Sequence, residues 1–262
     1  MLNIIKSIRY SLHREMLIWV YATAILIAYV FMVILSLDNV DVYTGAYGFR
    51  AIVESNEIIC FVVALLFVPL ICSSDFSDKF INYELLGGYK KSHVYFARAL
   101  YSYVFVYGYF MVSCGIPLII GCIMNGYCSF DLQVNDLFLL LIVGLVMVLR
   151  GVSVVIFFSF LFENNIASVL VMYLLEIMSL MPSVLLGELF EGLDKTYFIS
   201  TVATYEKVML PSDMVPGFVN GRDVYLPVYN FSENIGAIVG SLVFGAVLLF
   251  VGYAIFSSRD RK

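Results

Sequence analysis

The sequence predicts an all-α membrane protein with six transmembrane helices and both termini in the cytosol. Three observations lead there. Hydrophobic residues make up 62% of the 262-residue chain and charged residues 13%, about half the charged share of a soluble domain. Apolar runs longer than about 18 residues recur. These runs are continuous rather than alternating in segments of about ten, which favours helices over a barrel. The chain reads as a single transmembrane domain, residues 1–262, with no room for a folded soluble domain.

The elements follow in order. In residues 1–16, Ile5, Ile8, Leu12 and Met16 share a helical face, while Lys6, Ser7, His13 and Arg14 lie off it. This pattern predicts an amphipathic helix in the membrane interface. The apolar run that follows is too long for a cleavable signal peptide and has no small-residue cleavage site. The first span covers about 17–37, with Trp19 and Tyr21 as interface anchors. A polar loop is expected over 38–57. The second span, 58–72, reaches only about 22 Å at 1.5 Å per residue, less than a hydrocarbon core, so its helix should continue past both ends. Residues 73–98 form the longest polar interruption on the side that also carries the termini.

The third span covers about 99–124, with Pro117 as a kink. The fourth covers about 137–162 and the fifth about 166–186. Only Glu163-Asn164-Asn165 separates them, so they form an antiparallel hairpin. Residues 187–233 include Leu189, Phe190, Tyr197, Phe198 and Tyr225, which is too apolar for a disordered linker. Short helices lying at, or dipping into, the outer interface are expected there, as an extracellular or re-entrant segment. The sixth span covers about 235–256.

Loop charge orients the bundle. One side holds ten bases: Lys6, Arg9, Arg14, Lys79, Lys90, Lys91, Arg98, Arg259, Arg261 and Lys262. The other holds four, Arg50, Lys195, Lys207 and Arg222. The positive-inside rule puts the first side in the cytosol. A multi-pass protein of a bacterial plasma membrane is the expectation.

A catalytic site is not found. HExxH, GxSxG and GxxxxGK[ST] are absent, and Gly87-Gly88-Tyr89-Lys90-Lys91 lacks both the spacing and the preceding strand of a phosphate loop. The five cysteines show no ligand spacing, so no metal site is expected. No nucleic-acid partner is expected either. Arg150 and Glu176 sit near the middle of spans four and five, where a charge faces protein or water. Counted from Asn164 they lie at depths of about 21 and 18 Å, so they should pair or share one polar network. That network is either a charge-neutral staple of the hairpin or a polar patch on a substrate or proton path. Tyr103 and Tyr107 are one turn apart on span three. They either pack against another helix or line a groove for an amphiphile.

Within 73–98, Ser74 or Asp75 can cap a helix with Phe76, Phe80 and Tyr83 on one face. Gly87-Gly88 can end it through a left-handed residue, and Ser92 can start the helix that runs through Arg98 into span three. Asp75-Phe76, then Glu84-Leu85-Leu86-Gly87, then Lys90 or Lys91, then Arg98, resemble the segment after span two in ABC-2 type transporter permeases. The whole-chain architecture resembles the six-span permeases of bacteriocin or lantibiotic immunity and small-peptide export. The resemblance implies a coupling helix from about Asp75 to Leu86, with Asp75, Phe76, Phe80, Tyr83, Glu84, Gly87, Lys90, Lys91 and Arg98 engaging a separate ATPase subunit. It also implies two ATPase copies holding ATP and magnesium, a second permease chain that is identical or homologous, and an amphiphilic substrate such as an antimicrobial peptide. No cofactor is expected in this chain. The competing readings are a non-transporting membrane scaffold, sensor or channel subunit, and a membrane enzyme, for which no catalytic constellation is present.

Overall fold

The computed structural model describes residues 2–14, 16–38, 45–73, 85, 87–125, 134–162, 164, 166–176, 178, 204, 208, 213–219, 222–228 and 235–259. They form seven helices and one β-hairpin. The helices are α1 (Leu2–Arg14), α2 (Met16–Asp38), α3 (Gly45–Cys72), α4 (Lys91–Asn125), α5 (Val134–Phe162), α6 (Ile166–Glu176) and α7 (Ile235–Ser258). Among the described residues, α4, α5 and α7 are long and apolar enough to cross a membrane. The apolar stretches within α2, α3 and α6 (Trp19–Met32, Ile59–Cys72 and Ile166–Glu176) are shorter.

The core is built around α3, which packs on both α4 and α5, with α7 closing the far side of α5. α1 and α2 lie on α4. Amphipathic α1 buries Ile4 and Ile8 and leaves Lys6, Arg9 and Tyr10 exposed. α2 meets α4 through Trp19 against Phe105, with ring centroids 5.8 Å apart. In an apolar bundle each hydroxyl still needs an acceptor, and a serine or threonine finds one on its own helix. Thr23, Ser102, Ser153 and Ser159 all donate to the carbonyl four residues back, at 2.7–2.9 Å.

Two expectations are corrected. Residues 45–57 are not a loop: α3 begins at Gly45 and runs 28 residues, about 42 Å, so the helix of the second span continues past its N-terminal end as its shortness implied, while it ends at Cys72. The polar residues there suggested a loop because a helix facing lipid cannot carry them. Asn56, however, turns inward and is completely buried against α4. Residues 213–219 and 222–228 are not helical. Asp213–Val219 (β1) pairs antiparallel with Arg222–Val228 (β2), with Asp213 opposite Val228 and Val219 opposite Arg222. Val215, Val219, Val224, Tyr225 and Val228 favour strand, and Pro216 and Pro227 disfavour a helix interior. The overlooked signal is Asn220-Gly221 between the two runs, the dipeptide preferred in two-residue hairpin loops. Among the described residues the secondary structure is therefore helical apart from this hairpin. Elsewhere in 187–233, Thr204 and Val208 are helical and buried.

The short connection between α5 and α6 is as tight as expected. Asn164 caps α6: its side-chain oxygen accepts from the amides of Ile166 and Ala167 at 2.9 and 3.2 Å. Ser168 on α6 reaches back to the Phe158 carbonyl of α5 at 3.4 Å.

Candidate functional site

Three basic side chains gather the C-terminal ends of α3, α5 and α7 around the beginning of α4. The last carbonyls of a helix have no partner within it and carry the negative end of its dipole. Here those carbonyls are met by cations from other elements. The Lys91 ammonium donates to the carbonyls of Ser257 and Arg259, both at 2.8 Å. The Arg98 guanidinium donates to the carbonyl of Ile71 at 2.9 Å. Arg259 donates to Phe160 at 3.2 Å and Leu161 at 2.8 Å. Ser73 completes the end of α3 by donating both its amide and its hydroxyl to Pro69.

The lead-in to α4 is a turn. Gly88 has φ +86° and donates its amide to Leu85 at 3.1 Å, a backbone conformation that favours glycine. Gly87, Gly88 and Lys90 are exposed. The basic residues named from the sequence are thus divided. Lys90 faces outward, whereas Lys91 is half-buried against the end of α7 and Arg98 is fully buried. Asp75, Phe76, Phe80, Tyr83 and Glu84, with most of the expected coupling helix, lie outside the described residues. The helix expected to start at Ser92 starts one residue earlier, at Lys91.

The internal use of Lys91 had one sequence signal. A lysine in a helix's first turn, with no acid there, opposes the dipole. That placement makes sense when the lysine serves the negative end of another helix.

Beyond these helix ends an aromatic layer joins α4, α5 and α7. Tyr95 is buried, donates to the Leu249 carbonyl at 2.9 Å, and packs against Phe160, Phe256 and Tyr253 with centroids 4.5–5.7 Å apart. Further along α4, the Tyr103 hydroxyl is 2.6 Å from the Ser153 hydroxyl of α5. The Tyr103 and Tyr107 rings stack at 5.9 Å. Both rings are half-buried and pack on the core between helices.

Arg150 lies midway along α5, almost fully buried. It reaches the Ser241 hydroxyl of α7 at 3.4 Å and sits over the Phe244 ring, 4.8 Å from its centroid. The half-buried Glu176 carboxylate of α6 acts on it electrostatically. The arginine therefore engages three helices. Sequence reasoning named its acidic neighbour but not the contacts on α7, because nothing local marks which face of α7 turns inward.

A second polar knot was missed entirely. The Asn56 side-chain amide donates to Ser113 Oγ at 2.7 Å and Cys114 Sγ at 3.0 Å, and the Ser113 hydroxyl donates back to Asn56 Oδ1 at 2.9 Å. All three residues are buried. Replacing Asn56 with leucine removes this α3–α4 link and leaves the thiol and hydroxyl with poorer partners. A loss of about 1–2 kcal/mol is expected, read as a lower midpoint of unfolding in mixed micelles. An unchanged midpoint contradicts it.

Among the described residues no group of three or more His, Cys, Asp or Glu is placed to hold a metal ion. No protein-family model and no curated protein matches the chain.

Proposed function

We propose that this chain is the membrane-spanning permease subunit of an ATP-driven exporter of an amphiphilic substrate, with ATP hydrolysis on a separate subunit. In this reading α2, α3, α4, α5, α6 with the residues that follow it, and α7 supply six spans of a bacterial plasma membrane, and both termini are cytosolic. The part of the 73–98 segment that precedes α4, up to the exposed Lys90, docks on the ATPase. The resemblance of that segment to ABC-2 type permeases motivates the reading. The observation that carries it is mechanical: an exposed Gly88 turn and an outward Lys90 lead directly into α4, whose beginning is tied to the ends of α3 and α7. A push on the short segment before α4 therefore reaches the bundle through hydrogen-bonded helix ends rather than through a slack linker. Three apolar helices of spanning length fit the membrane assignment. Ten basic residues on the proposed inner side, against four on the outer, fit the orientation.

Copurification from the native membrane tests the proposal. The intact chain is expected to retain a nucleotide-hydrolysing subunit, and the double variant Phe80→Ala/Glu84→Ala to lose it. If the intact chain retains no such subunit, or the double variant keeps it with full activity, the permease reading fails and a scaffold, sensor or channel subunit takes its place.

A further inference from the structure

Arg259 is the node of an arrangement that binding to an outside partner does not explain. Its backbone carbonyl accepts from Lys91 of α4, while its guanidinium donates to Phe160 and Leu161 at the end of α5. Lys91 also holds Ser257. Two cations and four carbonyls thus join α4, α7 and α5 where the exposed turn enters α4. Behind them, Tyr95, Phe160 and Phe256 fill the space between the same three helices. Gly252 lets α7 approach so closely that a Cβ there would stand 2.6 Å from the Tyr95 hydroxyl.

We propose that Lys91 and Arg259 form a clasp that makes the first turn of α4 move as one body with the ends of α7 and α5. The inference deepens the permease reading and rests on it for its purpose, but the clasp is a property of this chain alone. The first turn of a helix is mechanically weak, because its first four amides have no partner within the helix. A displacement of the Gly88 turn would fray that turn before it moved the rest of α4. Tying Lys91 to two carbonyls beyond its own helix removes that slack. Arg259 then carries the displacement on to α5. Lys91 and Arg259 are in this sense positioning residues, and the exposed Lys90 remains available to a partner.

Two measurements test it. The first uses the full chain in nanodiscs, with spin-labelled unnatural amino acids at the exposed positions Lys90 and Ser258, which spares the native cysteines. Pulsed electron resonance is expected to give one narrow distance distribution. Lys91→Gln should broaden it and Lys91→Arg should restore it. A distribution that stays narrow in Lys91→Gln overturns the clasp, and no ATPase is needed to see it. The second uses the complex with its ATPase, with labels at the exposed positions Ile123 and Ile235. Arg259→Gln should remove most of the ATP-driven distance change, while the ATPase stays bound. A full change in Arg259→Gln overturns the clasp. The absence of any ATP-driven change in the unsubstituted chain overturns the permease reading instead.

Discussion

Glu176→Gln is expected to destabilise the helix bundle by about 2–3 kcal/mol, and the double variant Arg150→Met/Glu176→Gln to recover most of that loss. Arg150 is almost fully buried, and removing the partner of a buried ion typically costs about 3–5 kcal/mol because the remaining charge is left without compensation. One feature lowers the expected cost here: Arg150 keeps its contacts with Ser241 and Phe244 on α7. In the double variant the charge disappears along with its partner, and methionine fills the space left by the arginine stem. Unfolding of all four members of the cycle in mixed micelles gives the coupling energy directly. Additive losses, with no recovery in the double variant, would show that Arg150 does not depend on Glu176. Arg150→Met alone should also destabilise the bundle, since it leaves the Glu176 carboxylate of α6 without its cation at membrane depth.

Gly245→Leu is expected to prevent the assembly of α7 on α5. A Cβ at Gly245 would stand 2.7 Å from Leu149 Cδ2 and 2.8 Å from Ser153 Oγ. Leu149 can swing away, but Ser153 is held: its hydroxyl donates to the Leu149 carbonyl and lies 2.6 Å from the Tyr103 hydroxyl. Even Gly245→Ala should cost about 1–3 kcal/mol by overpacking, and the extra atoms of leucine should separate the helices. Gly108→Ala provides the contrast, because a Cβ at Gly108 meets nothing within 4 Å. There the better helix propensity of alanine should stabilise α4 by up to about 1 kcal/mol. Protein yield after detergent extraction and the unfolding midpoint read both. Equal behaviour of the Gly245 and Gly108 variants would mean that α7 does not approach α5 as closely as described.

Helix identity was legible because an apolar run longer than about 18 residues has few alternatives in water or lipid. The tight α5–α6 connection was legible for a related reason, since three residues cannot span anything wider. Asn56 and the 213–228 hairpin were not read correctly. Asn56 looks like a loop residue until Ser113 and Cys114 of α4 are seen beside it. The hairpin is hidden by its surroundings: its two seven-residue strands stand between long helices in the sequence, and the local signal for it is the dipeptide Asn220-Gly221.

The sequence by itself determined the apolar helices, the amphipathic character of α1 and the turn at Gly88. Each depends on composition or on residues within a few positions of one another. The tertiary structure alone decided that Lys90 faces outward while Lys91, Arg98 and Arg259 hold helix ends, and that Ser241, Gly245 and Gly252 form the inward face of α7. A lysine's charge is visible in the sequence. Which carbonyl satisfies it depends on which helix lies alongside, and in a bundle of uniformly apolar helices no local pattern states that.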